Sequence, residues 1–322
     1  MARKNRRQRA PRVVAFGGGH GLAANLKALR HITQDLTAVV TVADNGGSSG
    51  RLREHMPVLP PGDLRMALAA LCDDTSAGHM WRDVIQHRFE DAGELEGHAV
   101  GNLLIVALWQ LLDDPVEGLK YVGDLLGARG RVLPMALDPL HIEADVRVAG
   151  ELRKVRGQAQ VAAADGYVEE VRLLPANPRV PQQVLDAVER ADWLIFGPGS
   201  WFTSVLPHLM VPDLADAVAS SCARRMVTMN LSAGVSEAEG RNFADLLDVL
   251  CAQRPDIRYH ALLADPSCLA DPALMRKRTE KHGTELVLRS VGVSGNVPEH
   301  EPLRLASAYR DVFDMFAREE AH

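Results

Sequence analysis

Aromatic side chains are scarce in this chain, at 5% of 322 residues. A base-stacking platform such as an RNA-recognition sheet needs such rings, so that class is disfavoured. There are only 4 cysteines, Cys72, Cys222, Cys251 and Cys268. None forms a C-x-x-C pair, which argues against a zinc ribbon and a thioredoxin-type redox motif. They read as reduced thiols, and the expected location is cytoplasmic. No apolar run approaches the roughly 18 residues of a membrane span. Positive charge is not in excess either: 36 Lys and Arg stand against 42 Asp and Glu, a formal net charge of -6. That leaves no strong nucleic-acid signal. The 12 histidines include no H-x-x-x-H pair, so no metal site is expected from them.

What the chain does have is apolar mass and glycine. It is 47% hydrophobic and 24% charged, enough for a sizeable core, which excludes disordered and fibrous classes. Residues 1–12 carry Arg3, Lys4, Arg6, Arg7, Arg9 and Arg12 but no apolar stretch behind them. They are expected to be a solvated basic arm, not a secretory signal. Residues 13–322 are expected to form a single domain.

Short apolar runs, polar or glycine-rich turns and helical patterns alternate along it. Val13–Phe16, Leu36–Ala43, Asp192–Phe196, Met226–Met229, Ile257–Leu263 and Leu286–Leu288 read as buried strands. Asp63–Cys72, Val100–Leu112 and a stretch from Pro181 to about Arg190 read as helices. Asp44–Arg53 reads as a polar loop. Residues 130–175 contain alternating stretches such as His141–Val148, expected to be a small antiparallel elaboration. The expected fold is α/β, Rossmann-like, with a mainly parallel sheet and helices on both faces.

In such a sheet ligands sit at the carboxyl ends of strands. Three unusual loops lie there. Gly17, Gly18, Gly19, His20 and Gly21 follow the first strand, where glycine lets the backbone approach phosphate at a helix N-terminus. No Gly-Lys-Ser/Thr follows, so this is not a Walker A loop. Asp44, Asn45, Gly46, Gly47, Ser48, Ser49 and Arg51 follow the second strand, a dense set of groups for a polar anionic ligand. Gly197, Gly199, Ser200 and Thr203 follow a third strand, without the G-x-S-x-G pattern of an acyl nucleophile. Asp63 fits the N-cap of the helix behind Pro60-Pro61-Gly62. Arg65, inside that otherwise apolar helix, suits an anion or an internal carboxylate. Asn102 and Asn230, at a helix start and a strand end, complete the candidate ligand-binding set. No catalytic residue and no required cofactor is expected.

The segments Val14–Leu22, Val39–Arg53, Pro60–Arg65, Gly101–Leu103 and Gly197–Ser204, taken in that order, resemble the gluconeogenesis factor (YvcK-like) family. This is the bacterial branch of the 2-phospho-L-lactate transferase (CofD-like) superfamily. The resemblance implies a UDP-N-acetylglucosamine ligand and a regulatory role linking carbon metabolism to cell-wall synthesis and cell shape. It leaves a homo-oligomer open. The alternative is the transferase branch, which moves a phospholactate unit from a GDP-linked donor onto a deazaflavin with Mg²⁺; its strand-end Asp corresponds to Asp44. His20 and Asn45 depart from the family pattern, in which a small hydroxyl residue and a second Asp are usual. The stretch Leu231–Gly240 departs as well.

Overall fold

A computed structural model describes residues 9–164, 166–231, 243–294 and 297–319. Eight residues of the basic arm and most of the divergent stretch after Leu231 lie outside that set. Among the described residues the strands are β1 (Val13–Gly17), β2 (Leu36–Val40), β3 (Arg131–Pro134), β4 (His141–Val148), β5 (Glu151–Arg156), β6 (Tyr167–Leu174), β7 (Trp193–Phe196), β8 (Arg224–Thr228), β9 (Ala261–Ala264) and β10 (Glu285–Leu288). The helices are α1 (Gly19–Leu29), α2 (Gly47–His55), α3 (Pro61–Leu71), α4 (Ser76–Gln86), α5 (Val100–Leu112), α6 (Pro115–Leu125), α7 (Gln158–Ala162), α8 (Gln182–Arg190), α9 (Pro207–Met210), α10 (Pro212–Ser220), α11 (Phe243–Gln253), α12 (Pro272–Lys281) and α13 (Pro302–Glu319).

Seven strands form one sheet in the order β10-β9-β8-β7-β1-β2-β3. All its pairings are parallel. Every residue of β1, β2 and β7 is buried, which is why those segments read as unbroken apolar runs: helices cover both faces. Phe16 and Phe196 stack with ring centroids 4.7 Å apart across the β1–β7 pair. On one face α1 packs between α3 and α13.

The chain starts in the middle of this sheet, builds outward through β2 to β3, then returns to β7 on the other side of β1. The strand order therefore reverses between β1 and β7, and the crevice opens there. The expected α/β fold with a parallel sheet is what forms. One detail differs. Residues from about 130 were expected to be antiparallel, but β3 is the parallel edge strand beside β2, pairing Arg131 with Thr37. The antiparallel sheet, in the order β5-β4-β6, begins only at His141. Three of the four β3 residues are buried, so its chain direction is set by packing on α3 and α6, not by its short pattern.

Candidate functional site

The loops after β1 and β7 meet at the reversal point. Gly21 lies so close to the β7 loop that a Cβ there would stand 2.4 Å from the Pro198 carbonyl oxygen. The Gly197–Pro198 peptide is cis. Asn25 of α1 donates to the Gly197 carbonyl at 2.7 Å. Asn230, just past β8, holds Gly199 from the other side. Its Oδ1 accepts from the Gly199 amide at 2.7 Å and its Nδ2 donates to the Gly199 carbonyl at 2.9 Å. Ser200 caps the buried π turn Trp201–Val205, accepting from the Thr203 hydroxyl at 2.5 Å and the Thr203 amide at 3.3 Å. Asn230, Ser200 and Thr203 thus shape this loop. His20 lies on the exposed side of the first turn of α1.

The second loop is not a loop. The chain turns helical at Gly47 and forms α2, where a polar loop through Arg53 was expected. Glycines and serines are weak helix formers, and the local sequence supplies one buried apolar residue, Leu52. Tertiary contacts make the helix. Ser48 and Ser49 are buried at its first turn. Ser49 Oγ accepts from the Gly62 amide at 3.0 Å. The guanidinium of Arg53 donates to the carbonyls of Asp44 at 2.7 Å and Leu140 at 2.9 Å.

Asp44 accepts from the Gly46 amide at 2.8 Å, which closes the turn into α2. The amides of Gly47, Ser48 and Ser49 lie in a first helical turn that has no i−4 carbonyl to bond. A cleft of about 210 Å³ opens in front of them, lined by Asp44, Gly46–Ser49, Gly62, Asp63, Arg65, Met66, Arg88 and Asn102.

Beneath the cleft runs a buried chain of hydrogen bonds. Arg65 Nε donates to Asn102 Oδ1 at 3.0 Å, and Asn102 Nδ2 donates to Ser48 Oγ at 2.9 Å. Ser48 Oγ lies 3.0 Å from His98 Nδ1. Ser48 Oγ has a lone pair left after accepting from Asn102, so it either donates its proton to an unprotonated Nδ1 or accepts from a protonated one, according to the His98 tautomer. Burial pushes the His98 pKa down, with the charges of Arg51 and Arg88 adding to it. Burial also lowers Arg65, to about 10, helped by Arg88 and opposed by Asp63. Arg65 is 5% exposed and still charged at neutral pH.

Asp63 was expected to cap its own helix. The structure corrects this: α3 begins at Pro61 with Pro60 at its N-cap, so Asp63 sits inside the first turn. Its carboxylate instead accepts from the backbone of Gly19, at the start of α1. A Cβ on Gly18 would stand 2.5 Å from Asp63 Oδ2 and 2.5 Å from Thr41 Cγ2. Burial raises the Asp63 pKa to about 7, and the charge of Asp44 adds to that. Two carboxylates, Asp44 and Asp63, therefore line one cleft.

The structure brings Asp44, Gly46–Ser49, Asp63, Arg65 and Asn102 together. Gly18 and Gly19 adjoin them through Asp63, and the β7 loop adjoins Gly21. Two predicted residues turn away. Arg51 gives its guanidinium to the Glu96 carbonyl at 2.6 Å. Asn45 bonds α7, accepting from the Ala159 amide at 3.0 Å and donating to Gln160 at 2.9 Å. Sequence reading omitted His98, Arg88, Met66 and Thr41 from the site. Thr41, whose buried hydroxyl has no hydrogen-bond partner among the described residues, directly follows β2, and that position was the available signal. Nothing local marks Arg88.

A parallel α/β sheet whose strand order reverses, with a polar cleft at the carboxyl ends of its strands, is an architecture in which ligands bind at that edge. The profile of the 2-phospho-L-lactate transferase CofD family matches residues 13–288, and the chain belongs to that family, in its YvcK-like branch. It is 44% identical over 309 residues to a protein of Mycobacterium tuberculosis (strain CDC 1551 / Oshkosh) named "Putative gluconeogenesis factor", covering 93% of this chain and 90% of that one. The "Gluconeogenesis factor" of Listeria monocytogenes is 37% identical over 245 residues, 76% of this chain and 74% of that one. A crystal structure of a UPF0052 family member from Bacillus halodurans superposes with a TM-score of 0.82 at 29% identity, covering 92% of this chain and 97% of that one.

Proposed function

We propose that this protein binds a nucleoside-diphosphate sugar, UDP-N-acetylglucosamine, at the carboxyl edge of its sheet. In this reading it acts in the cytoplasm as a regulatory protein linking carbon metabolism to cell-wall synthesis and cell shape. One observation carries the reading: at the carboxyl edge of the sheet one cleft is lined both by the first turn of α2, whose amides have no i−4 carbonyl, and by Arg65, and Asp63 on its wall bonds the Gly19 backbone of the first glycine loop. Helix N-termini and buried arginine both favour phosphate. The amides of Gly47–Ser49 with Arg65 form the diphosphate cradle, and Asp44 and Asn102 take hydroxyl or amide groups of the ligand. Names of the relatives agree with a metabolic role.

A second reading, a transferase of the CofD type, is favoured by the two carboxylates. Mg²⁺ is commonly held by one or two carboxylates together with substrate phosphates. Asp44 and Asp63 would fill that role, and a cation between them would offset both the burial of the Asp63 charge and the smaller contribution of Asp44 to its raised pKa. Among the described residues no group of three ligating side chains is found, so the fit requires the ligand's own phosphates. The cation would neutralise charge on the diphosphate.

Thermal unfolding with UDP-N-acetylglucosamine, UDP, GDP and a deazaflavin, each with and without Mg²⁺, separates the two. A ligand at 100 times its Kd adds roughly 2.7 kcal/mol, which a melting curve resolves. Stabilisation by the uridine sugar without Mg²⁺ is the expected result. A shift seen only with GDP or deazaflavin plus Mg²⁺ supports the transferase reading, and silence across the panel removes both.

A further inference from the structure

The opposite edge of the sheet holds a second concave site. At the amino ends of β1, β2 and β3 lies a cavity of about 190 Å³ whose polar lining is Arg9, Arg12, Arg131, Arg190, Asp35 and Thr37. Four guanidiniums face one carboxylate there, in a chain whose formal net charge is -6. The four come from three places: Arg9 and Arg12 from the segment before β1, Arg131 from the first residue of β3 and Arg190 from the last residue of α8. The sheet register is what brings Arg131 to Thr37.

Their partners differ. Arg12 is neutralised, its Nε and terminal nitrogen reaching the two Asp192 oxygens at 3.1 and 2.8 Å. Arg9 makes one exposed contact with Asp35 at 3.3 Å, a pair worth little in water. Arg131 donates to the neutral Thr37 hydroxyl at 3.1 Å, so its charge is not compensated by that bond. No hydrogen bond or ion pair ties the Arg190 guanidinium among the described residues. The negative end of α8 accounts for Arg190 alone. It does not account for Arg131, which begins a strand and points its charge into the same cavity.

We propose that this amino-edge cavity binds a small phosphate-bearing anion, with Arg131 and Arg190 as its principal ligands and Arg9 as a third. Arginine forks match phosphate oxygens in pairs, and a volume near 190 Å³ suits a metabolite-sized anion better than a polymer. The site is distinct from the carboxyl-edge cleft. The five residues of β1 at about 3.3 Å each set the two roughly 15 Å apart through the buried sheet.

Calorimetric titration of the full chain with sodium pyrophosphate, without Mg²⁺, tests this. Binding is expected in Arg65→Ala, which removes the carboxyl-edge cradle as a second diphosphate site, and the arginine variants are titrated in that background. It should weaken about tenfold or more when Arg131→Ala/Arg190→Ala is added, since each charged hydrogen bond lost is worth at least that factor. Both arginines lie at the surface, and the double variant with Arg65 intact should melt with the parent and bind UDP-N-acetylglucosamine as the parent does. Pyrophosphate affinity unchanged by adding the double variant to Arg65→Ala overturns the proposal. So does binding that disappears in Arg65→Ala alone. So does a site that ignores pyrophosphate yet retains an RNA oligonucleotide or anionic vesicles through the same two arginines. None of these results depends on whether the uridine sugar binds.

Discussion

Asp63 is the residue on which the site's electrostatics turn. Its carboxyl is raised to about 7 by burial and by Asp44, above the ordinary value of 3.8. The folded protein therefore holds a proton there that the unfolded chain releases between about pH 4 and 7. This group's contribution to stability is greatest below pH 4 and is lost as pH rises through 7. Asp63→Asn keeps an oxygen for the Gly19 amide and removes the titration. It should be more stable than the parent at pH 8, on the order of 2 kcal/mol, with the gain vanishing near pH 4. Urea melts of both proteins across that range read the difference, and a gain independent of pH would contradict the assignment. The two arginines offer a second contrast at this scale. Arg65 is buried against the cleft while Arg51 is held by Glu96. Arg65→Ala should weaken nucleotide-sugar binding by about 1.5–3 kcal/mol, and Arg51→Ala by less than about 1 kcal/mol. Equal losses in titration calorimetry would place Arg51 in the site after all.

At the scale of elements, the strands and their carboxyl-end loops were legible because buried parallel strands write themselves as apolar runs ending in glycine. Helix α5 was legible to its ends for a similar reason. Helix α2 was not, because its helicity comes from Ser48, Ser49 and Gly62 meeting across a turn, and such contacts leave no periodic trace. The direction of the Asn45 side chain was equally hidden: its partners Ala159 and Gln160 are more than a hundred residues away. Arg65 could be found as a charge in an apolar helix, whereas nothing local distinguished Arg51 inside the cleft from Arg51 outside it. The β1–α1 and β7 loops were each visible, but their contact was not. Gly21 is where they touch. Gly21→Ala adds one methyl within 2.4 Å of a backbone oxygen, so one loop must move. Overpacking of this kind costs about 1–3 kcal/mol. The expected outcome is a lower melting temperature together with weakened ligand binding. Full affinity in a folded Gly21→Ala protein would show that the ligand does not depend on the reversal point.

Across the whole molecule, buried and half-buried histidines oppose Asp63. His208 lies in the core, its Nε2 3.0 Å from the Val39 carbonyl of β2, and burial lowers its pKa to about 4. His260 is also lowered to about 4, by burial first and then by Arg225, Arg224 and Arg258. Its Nδ1 accepts from the Arg225 amide at 3.0 Å, a bond that a protonated ring cannot keep. His98, His141 and His300 are shifted the same way by burial. A base whose folded pKa lies below its unfolded value stabilises the fold fully above that unfolded value, near 6.5. The stability is lost as pH falls toward the folded value. Five histidines act in this sense and one carboxyl in the other, so the net expectation is acid sensitivity. Unfolding free energy should fall by roughly 3 kcal/mol or more between pH 6.5 and 4.5. The fall should be steeper in Asp63→Asn, where the opposing group is gone. Urea denaturation at half-unit steps through that window measures both slopes. A parent protein whose stability holds level or rises toward pH 4.5 would mean that these rings take up their protons without disturbing the sheet they support.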